Sequence, residues 1–164
     1  MFLTTWGVYL SFISELLIFI SSIIEHNSTW FWGERYLWRF TWVLYEIMVP
    51  TNILITFVFW VFLYSNLPPE LKEGGRLIET ITSHSVPFIV TQIDFWVNGW
   101  LFKYSHLIFV LMFCTFYMIV NIIATFANWP PYDIITWQDW QTAVFVPALY
   151  ILVAGSFLGF TWIS

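Results

Sequence analysis

The sequence predicts an all-α protein: a polytopic bundle of about five transmembrane helices forming a single domain over residues 1–164. Three observations predict it. First, 60% of the residues are hydrophobic and 9% are charged, where a soluble domain carries about a quarter charged residues. Five basic and ten acidic side chains cannot cover a water-facing surface of this size. Second, long apolar runs recur. A helix rising about 1.5 Å per residue needs about 20 such residues to cross a hydrocarbon core about 30 Å thick. Third, backbone N–H and C=O groups in lipid must be satisfied within the structure, which helices achieve alone. The runs are too long and too continuously apolar for the strands of an outer-membrane barrel.

The first predicted span covers 2–24. It has no basic residue before it and is long for a signal h-region, so no cleavable signal peptide is expected. The second covers 37–64, with Pro50 inside it as an expected kink. The third, 77–99, is the most polar. The fourth covers 105–127 and the fifth 141–163. The connections carry turn and charge signals: 25–35, then 66–76 with Pro68, Pro69, Gly74 and Gly75, then 100–104, then 128–139 with Pro130 and Pro131. No internal repeat stands out.

The tryptophans test this topology, because Trp prefers the membrane–water interface. Let side A be the side of the N-terminus and side B the other. Trp6, Trp60, Trp129, Trp137 and Trp140 then fall at or near side A. Trp30, Trp32, Trp38, Trp96, Trp100 and Trp162 fall at side B, and Trp42 lies a turn further in. Arg35, Arg39 and Lys103 on side B against Lys72 and Arg76 on side A slightly favour side B as cytoplasmic. In that orientation the sequon Asn27-Ser28-Thr29 is silent.

Charge excludes some functions. A net charge of -5 and five unclustered bases argue against nucleic acid, which is bound through Lys and Arg on phosphates. Cys114 is the single cysteine, so there is neither an intrachain disulfide nor a cysteine metal site. The G-x-S-x-G, H-E-x-x-H, P-loop and G-x-G-x-x-G motifs of soluble enzymes are missing.

The polar residues within the apolar runs are patterned. Thr80, His84, Pro87, Thr91, Asp94 and Asn98 recur at spacings of 4, 3, 4, 3 and 4, which is one face of a helix. Such a face should meet other helices or a cavity, because charge facing lipid costs several kcal/mol. Thr4, Gly7, Ser11, Ser14 and Ser21 form a matching stripe of small and polar residues on the first helix, with Glu15 beside it. The stripes read equally as packing glue between helices. Depth divides the polar groups into two layers. Thr4 opens the first helix at side A, and His84 lies about 10 Å into the third helix from the same side. Glu15, Glu46, Asp94 and His106 lie toward side B. There the bland reading is structural: Glu15 and Glu46 protonated or paired with a base such as Arg39, and Asp94 paired with His106. Asn121 reads as a packing hydrogen bond. No ligand spacing supports a metal site at Glu15, Asp94 and His106, and His84 and His106 sit in different layers, which argues against haem. No metal and no cofactor are expected.

Four stretches resemble the androgen-induced-gene and rolling-stone-like family of multi-pass membrane proteins. They are Phe2-Leu3-Thr4 opening a membrane helix; Val49-Pro50 followed by the aromatic run Phe57 to Tyr64; His84 followed by Pro87-Phe88-Ile89 and the acid Asp94; and Pro131-Tyr132-Asp133-Ile134-Ile135-Thr136-Trp137 before the last helix. The resemblance implies a threonine hydrolase of fatty acid esters of hydroxy fatty acids. Carried over by motif, the catalytic pair is Thr4 and His84, the two residues that depth places in one layer. His84 would take the proton of the Thr4 hydroxyl, and Thr4 would form an acyl-enzyme that water resolves. Thr80, Ser83, Pro87, Thr91 and Ser11 are the candidate pocket residues. The family has six spans, one of them ahead of the F-L-T motif. The expectation here is therefore a family-like fold lacking that first helix. The family's acid shortly after F-L-T is replaced by Gly7, and its histidine-rich stretch reads Thr80-Ile81-Thr82-Ser83. The rival reading is a non-catalytic accessory or structural subunit of a larger membrane complex, an organellar one included. Membrane lipids are the expected partners, with protein partners inside the bilayer under the rival reading.

Overall fold

The computed structural model describes residues 3–27, 33–132 and 135–164, and side chains over 3–24, 36–132 and 135–164. Phe2, the residues Ser28 and Thr29 of the sequon, Trp30, Trp32, Asp133, Ile134 and the side chain of Arg35 lie outside these. Among the described residues there are five long helices: α1 (Leu3–Asn27), α2 (Gly33–Val58), α3 (Gly74–Asn98), α4 (Leu107–Phe126) and α5 (Trp140–Ile163). No strand occurs among the described residues. The predicted spans match these helices to within a few residues. The difference is in α2. It runs unbroken through Pro50, and the irregularity comes later, as a π turn at Phe59–Leu63 and a 3-10 turn at Tyr64–Asn66.

Among the described residues, four segments are long and apolar enough to cross a bilayer: Leu3–Ile24, Tyr36–Asn66, Tyr104–Phe126 and Trp140–Ile163. The remaining predicted span, the third (77–99, on α3), is of similar length but more polar, because Glu79 and Asp94 interrupt it and Arg76 precedes it. Its apolar residues are segregated. Val86, Ile89, Val90, Ile93 and Val97 face outward, while Thr91 and Phe95 are buried against the bundle. Gly99 ends α3 in the left-handed conformation (φ 61), which a residue without Cβ adopts at no steric cost.

The centre of the bundle is α2, which packs against each of the other four helices. Its closest partner is α1. The small-residue stripe of α1 turns onto α2 and is buried there at Ser11, Ser14 and Ser21. Gly7 sits directly against Ile55, where a Cβ would collide with the Ile55 Cδ1 atom. One turn on, Asn52 donates through Nδ2 to Ser11 Oγ (2.8 Å), and Ser11 Oγ donates to the Gly7 carbonyl (2.8 Å). Among lipid tails there is little hydrophobic drive between helices, so close approach and such hydrogen bonds hold the pair. Two apolar clusters fill the rest. Toward the C-terminal end of α3, Tyr45, Met48, Phe95, Phe102 and Phe157 pack together. Toward its N-terminal end, Leu54, Tyr117, Met118, Ile135 and Leu149 do so.

The loop before α5 is held at several points. Asp139 caps α5, its carboxylate accepting from the Thr142 N–H (2.8 Å), which holds that carboxyl below the usual range. Thr142 Oγ1 in turn accepts from the N–H groups of Thr136 and Trp137. The indole of Trp137 donates to Asn121 Oδ1 on α4 (2.7 Å). These contacts fix the loop over the start of α1.

The α1–α2 contact predicts a compensating pair. Gly7→Ala should lower thermal stability in detergent by about 1 kcal/mol, the low end of overpacking costs. Ile55→Val removes the atom in collision, so the double variant should recover most of that loss in a double-mutant cycle. Additive losses would mean that Gly7 and Ile55 are not in contact.

Candidate functional site

Thr4 stands in the first turn of α1, and His84 in the third turn of α3. Both helices pack on α2, and their polar stripes meet at this level. Thr4 Oγ1 and His84 Nε2 are 3.0 Å apart. The other ring nitrogen, Nδ1, is 2.7 Å from the Thr80 carbonyl oxygen. A carbonyl only accepts, so Nδ1 carries the hydrogen. In a neutral imidazole Nε2 is then the acceptor. The Thr4 hydroxyl therefore donates to His84. Ser83 Oγ also donates to the Thr80 carbonyl (3.1 Å) and lies 3.2 Å from Nδ1.

The His84 ring is clamped as well as hydrogen-bonded. It stacks on Phe59, with centroids 3.9 Å apart and planes at 18°. Phe59 is buried and begins the π turn that follows α2. One turn earlier, Thr56 Oγ1 donates to the His84 carbonyl (2.6 Å), and Trp60 Nε1 donates to Ser85 Oγ (3.1 Å). The end of α2 thus fixes both the backbone and the ring plane of His84.

Two cavities flank the pair. A large open one of about 970 Å³ is bounded by the loop residues Pro68, Leu71, Pro130 and Pro131, and by Phe62. An enclosed one of about 30 Å³ lies behind, walled by apolar residues such as Leu54, Met118 and Leu149. Thr4, His84 and Tyr132 line both. A volume of several hundred cubic ångströms with few polar groups suits a small-molecule ligand.

The predicted residues sort clearly. Thr4, His84, Thr80 and Ser83 line the large cavity. Pro87, Thr91 and Ser11 line neither cavity. Ser11 is consumed in the α1–α2 contact. Thr91 is buried further along α3, where its Oγ1 donates to the Phe88 carbonyl (3.0 Å) and its carbonyl accepts from Tyr45 (3.2 Å). The α3 face that Pro87 and Thr91 share with His84 is a packing face below the cavity. Thr80 contributes through its main-chain carbonyl, a role that side-chain periodicity does not reveal. Phe59 and Tyr132 were missed as site residues. Pro131-Tyr132 and the aromatic run were visible, but nothing local says that they reach Thr4 and His84.

The second polar layer is separate, as depth predicts, but its pairing differs from expectation. Glu46 meets His106, not Arg39: its Oε2 accepts from His106 Nδ1, and its Oε1 accepts from the Lys103 N–H (2.7 Å). Asp94 takes Asn98 Nδ2 (2.6 Å) and the Trp100 indole (2.8 Å) in place of His106. The connection 100–104 carries His106 across to α2, and away from α3. Asn121 is buried and accepts from Trp137, the packing role expected of it. Among the described residues, no group of three or more His, Cys, Asp or Glu side chains is placed to hold a metal ion.

Comparison with protein-family models, curated proteins and solved structures finds no match to this chain.

The hydrogen-bond chain predicts a spectroscopic result. With histidine ¹⁵N-labelled, the His84 ring should appear as the neutral Nδ1–H tautomer at pH 7. Thr4→Val should leave that tautomer in place, because the Thr80 carbonyl sets it. An Nε2–H tautomer would contradict the assigned direction of both bonds to the His84 ring, from Thr4 and to the Thr80 carbonyl.

Proposed function

We propose that this chain is a multi-pass membrane hydrolase of lipid esters, with Thr4 as nucleophile and His84 as general base. One observation carries the reading: the Thr4 hydroxyl donates to an imidazole whose tautomer is set by a backbone carbonyl, at the wall of a large cavity. A nucleophile bonded to a base, with the base oriented by a third group, is the general signature of an activated hydroxyl. The Thr80 carbonyl fills the place that a carboxylate takes in serine triads. It orients the ring without adding a negative charge, which is costly inside an apolar bundle.

Thr4 Oγ attacks the ester carbonyl carbon, and its proton passes to His84 Nε2. The carbonyl π pair moves to oxygen. The tetrahedral adduct collapses, the alcohol oxygen leaves with the electron pair of its bond to carbon, and His84 Nε2–H protonates it. Water then attacks the acyl-threonine, giving its proton to His84. Collapse returns that proton to Thr4 Oγ and releases the carboxylic acid. Ester and water become alcohol and acid, with the enzyme unchanged.

The resemblance to the androgen-induced-gene and rolling-stone-like family supports fatty acid esters of hydroxy fatty acids as the substrate class. The cavity suits such a molecule. It is mostly apolar, and Phe62, Leu67 and Leu71 give its walls length for alkyl chains. A lipid substrate would reach it from the bilayer.

Hydrolysis of a fatty acid ester of a hydroxy fatty acid by the protein in detergent micelles tests this. Thr4→Ala and His84→Ala should each lower kcat by at least about 10²–10⁴-fold, the range of general-base contributions. Thr4→Ser should retain activity. Equal hydrolysis by all four proteins, or none by wild type, would remove the enzymatic reading and favour a structural subunit of a membrane complex.

A further inference from the structure

The attack described above puts negative charge on the former carbonyl oxygen. In an apolar bundle that charge needs a hydrogen-bond donor already in place. His84 is committed to the Thr4 proton, and its other nitrogen to Thr80. Among the side chains that line both cavities, the remaining group with an O–H is Tyr132.

Its position is built rather than incidental. The Leu3 N–H, next in sequence to Thr4, donates to the Tyr132 phenol oxygen at 3.0 Å. The same phenol stands on the walls of both cavities, as Thr4 and His84 do. The loop that carries it is held on α4 and α5 through Trp137–Asn121 and Thr142. Imidazole and phenol therefore line the cavities beside Thr4 as two separate groups, one taking a hydrogen and one able to give one. The Leu3 N–H donates to the phenol oxygen, so the O–H is what the phenol itself can donate at the cavities that Thr4 lines.

We infer that Tyr132 is a catalytic residue whose phenol O–H donates to the oxyanion of the tetrahedral adduct on Thr4, an inference that rests on the threonine hydrolase reading. When Oγ1 bonds to the substrate carbon, the carbonyl π pair moves to oxygen. That charged oxygen is the acceptor for the phenol O–H. Tyr132 keeps its proton throughout, and no bond to it forms or breaks.

The test compares wild type, Thr4→Ala and Tyr132→Phe with 4-methylumbelliferyl oleate as substrate and a long-chain alkyl trifluoromethyl ketone as tetrahedral mimic. Phe keeps the ring and removes the donor. Tyr132→Phe should lower kcat by about 10²–10³-fold with KM little changed, the loss typical of one oxyanion donor. It should weaken the ketone by a similar factor. A kcat near wild type in Tyr132→Phe, with Thr4→Ala inactive, overturns the role of Tyr132 and leaves the hydrolase reading standing. Full activity in Thr4→Ala overturns both. Should Tyr132→Phe not fold, 3-fluorotyrosine at position 132 keeps the hydroxyl and strengthens it as a donor. Ketone affinity should then rise, and an unchanged affinity overturns the inference.

Discussion

The Thr80 carbonyl oxygen decides the polarity of the site. It can only accept, so the histidine four residues on must donate to it. That leaves Nε2 with a free lone pair aimed at Thr4. Neither a pKa shift nor a nearby carboxylate is needed to orient the ring. A main-chain carbonyl in a helix has a second lone pair after its helical hydrogen bond, and here the side chain one turn on uses it. In an apolar bundle this solution avoids burying a further charge, which would need its own partner.

The remaining structure holds that arrangement steady. The end of α2 supplies a flat wall, Phe59, and a tether, Thr56, to the His84 backbone. The π turn at Phe59–Leu63 shifts the register of the last turns of α2, a local change of a kind that often accompanies functional positions. Gly7 and Ser11 bring α1 close enough to α2 for the first turn of α1 to reach α3. The capped loop before α5 delivers Tyr132 from the opposite side. The second layer, with Glu46 against His106 and the Lys103 N–H, knits the other end of the bundle and stays apart from the site.

Much of this was legible in the sequence because two strong rules apply. Apolar runs of about bilayer length mark helices to within a few residues, the end of α2 apart. A polar face at helical spacing in an apolar chain must turn inward, so Thr4 and His84 could be matched by depth alone. Other features were not legible, for specific reasons. Pairing at the second layer depended on the path of the 100–104 connection, which has no periodicity. The role of Thr80 belongs to the main chain, which every residue shares. Phe59 and Tyr132 act across the bundle, and no local pattern tells which aromatic among many reaches a given histidine. Pro87, Thr91 and Ser11 share the right faces but sit at depths where helices touch helices, so periodicity alone overextends the site.

Chemical trapping measures the central claim most directly, because it reports nucleophile and base together. The protein in detergent would be treated with a long-chain alkyl fluorophosphonate, and the adduct mapped by tandem mass spectrometry. The account predicts modification at Thr4 that is lost in His84→Ala. A protein left unmodified, an adduct at another hydroxyl, or labelling of Thr4 at the same rate without His84 would contradict it.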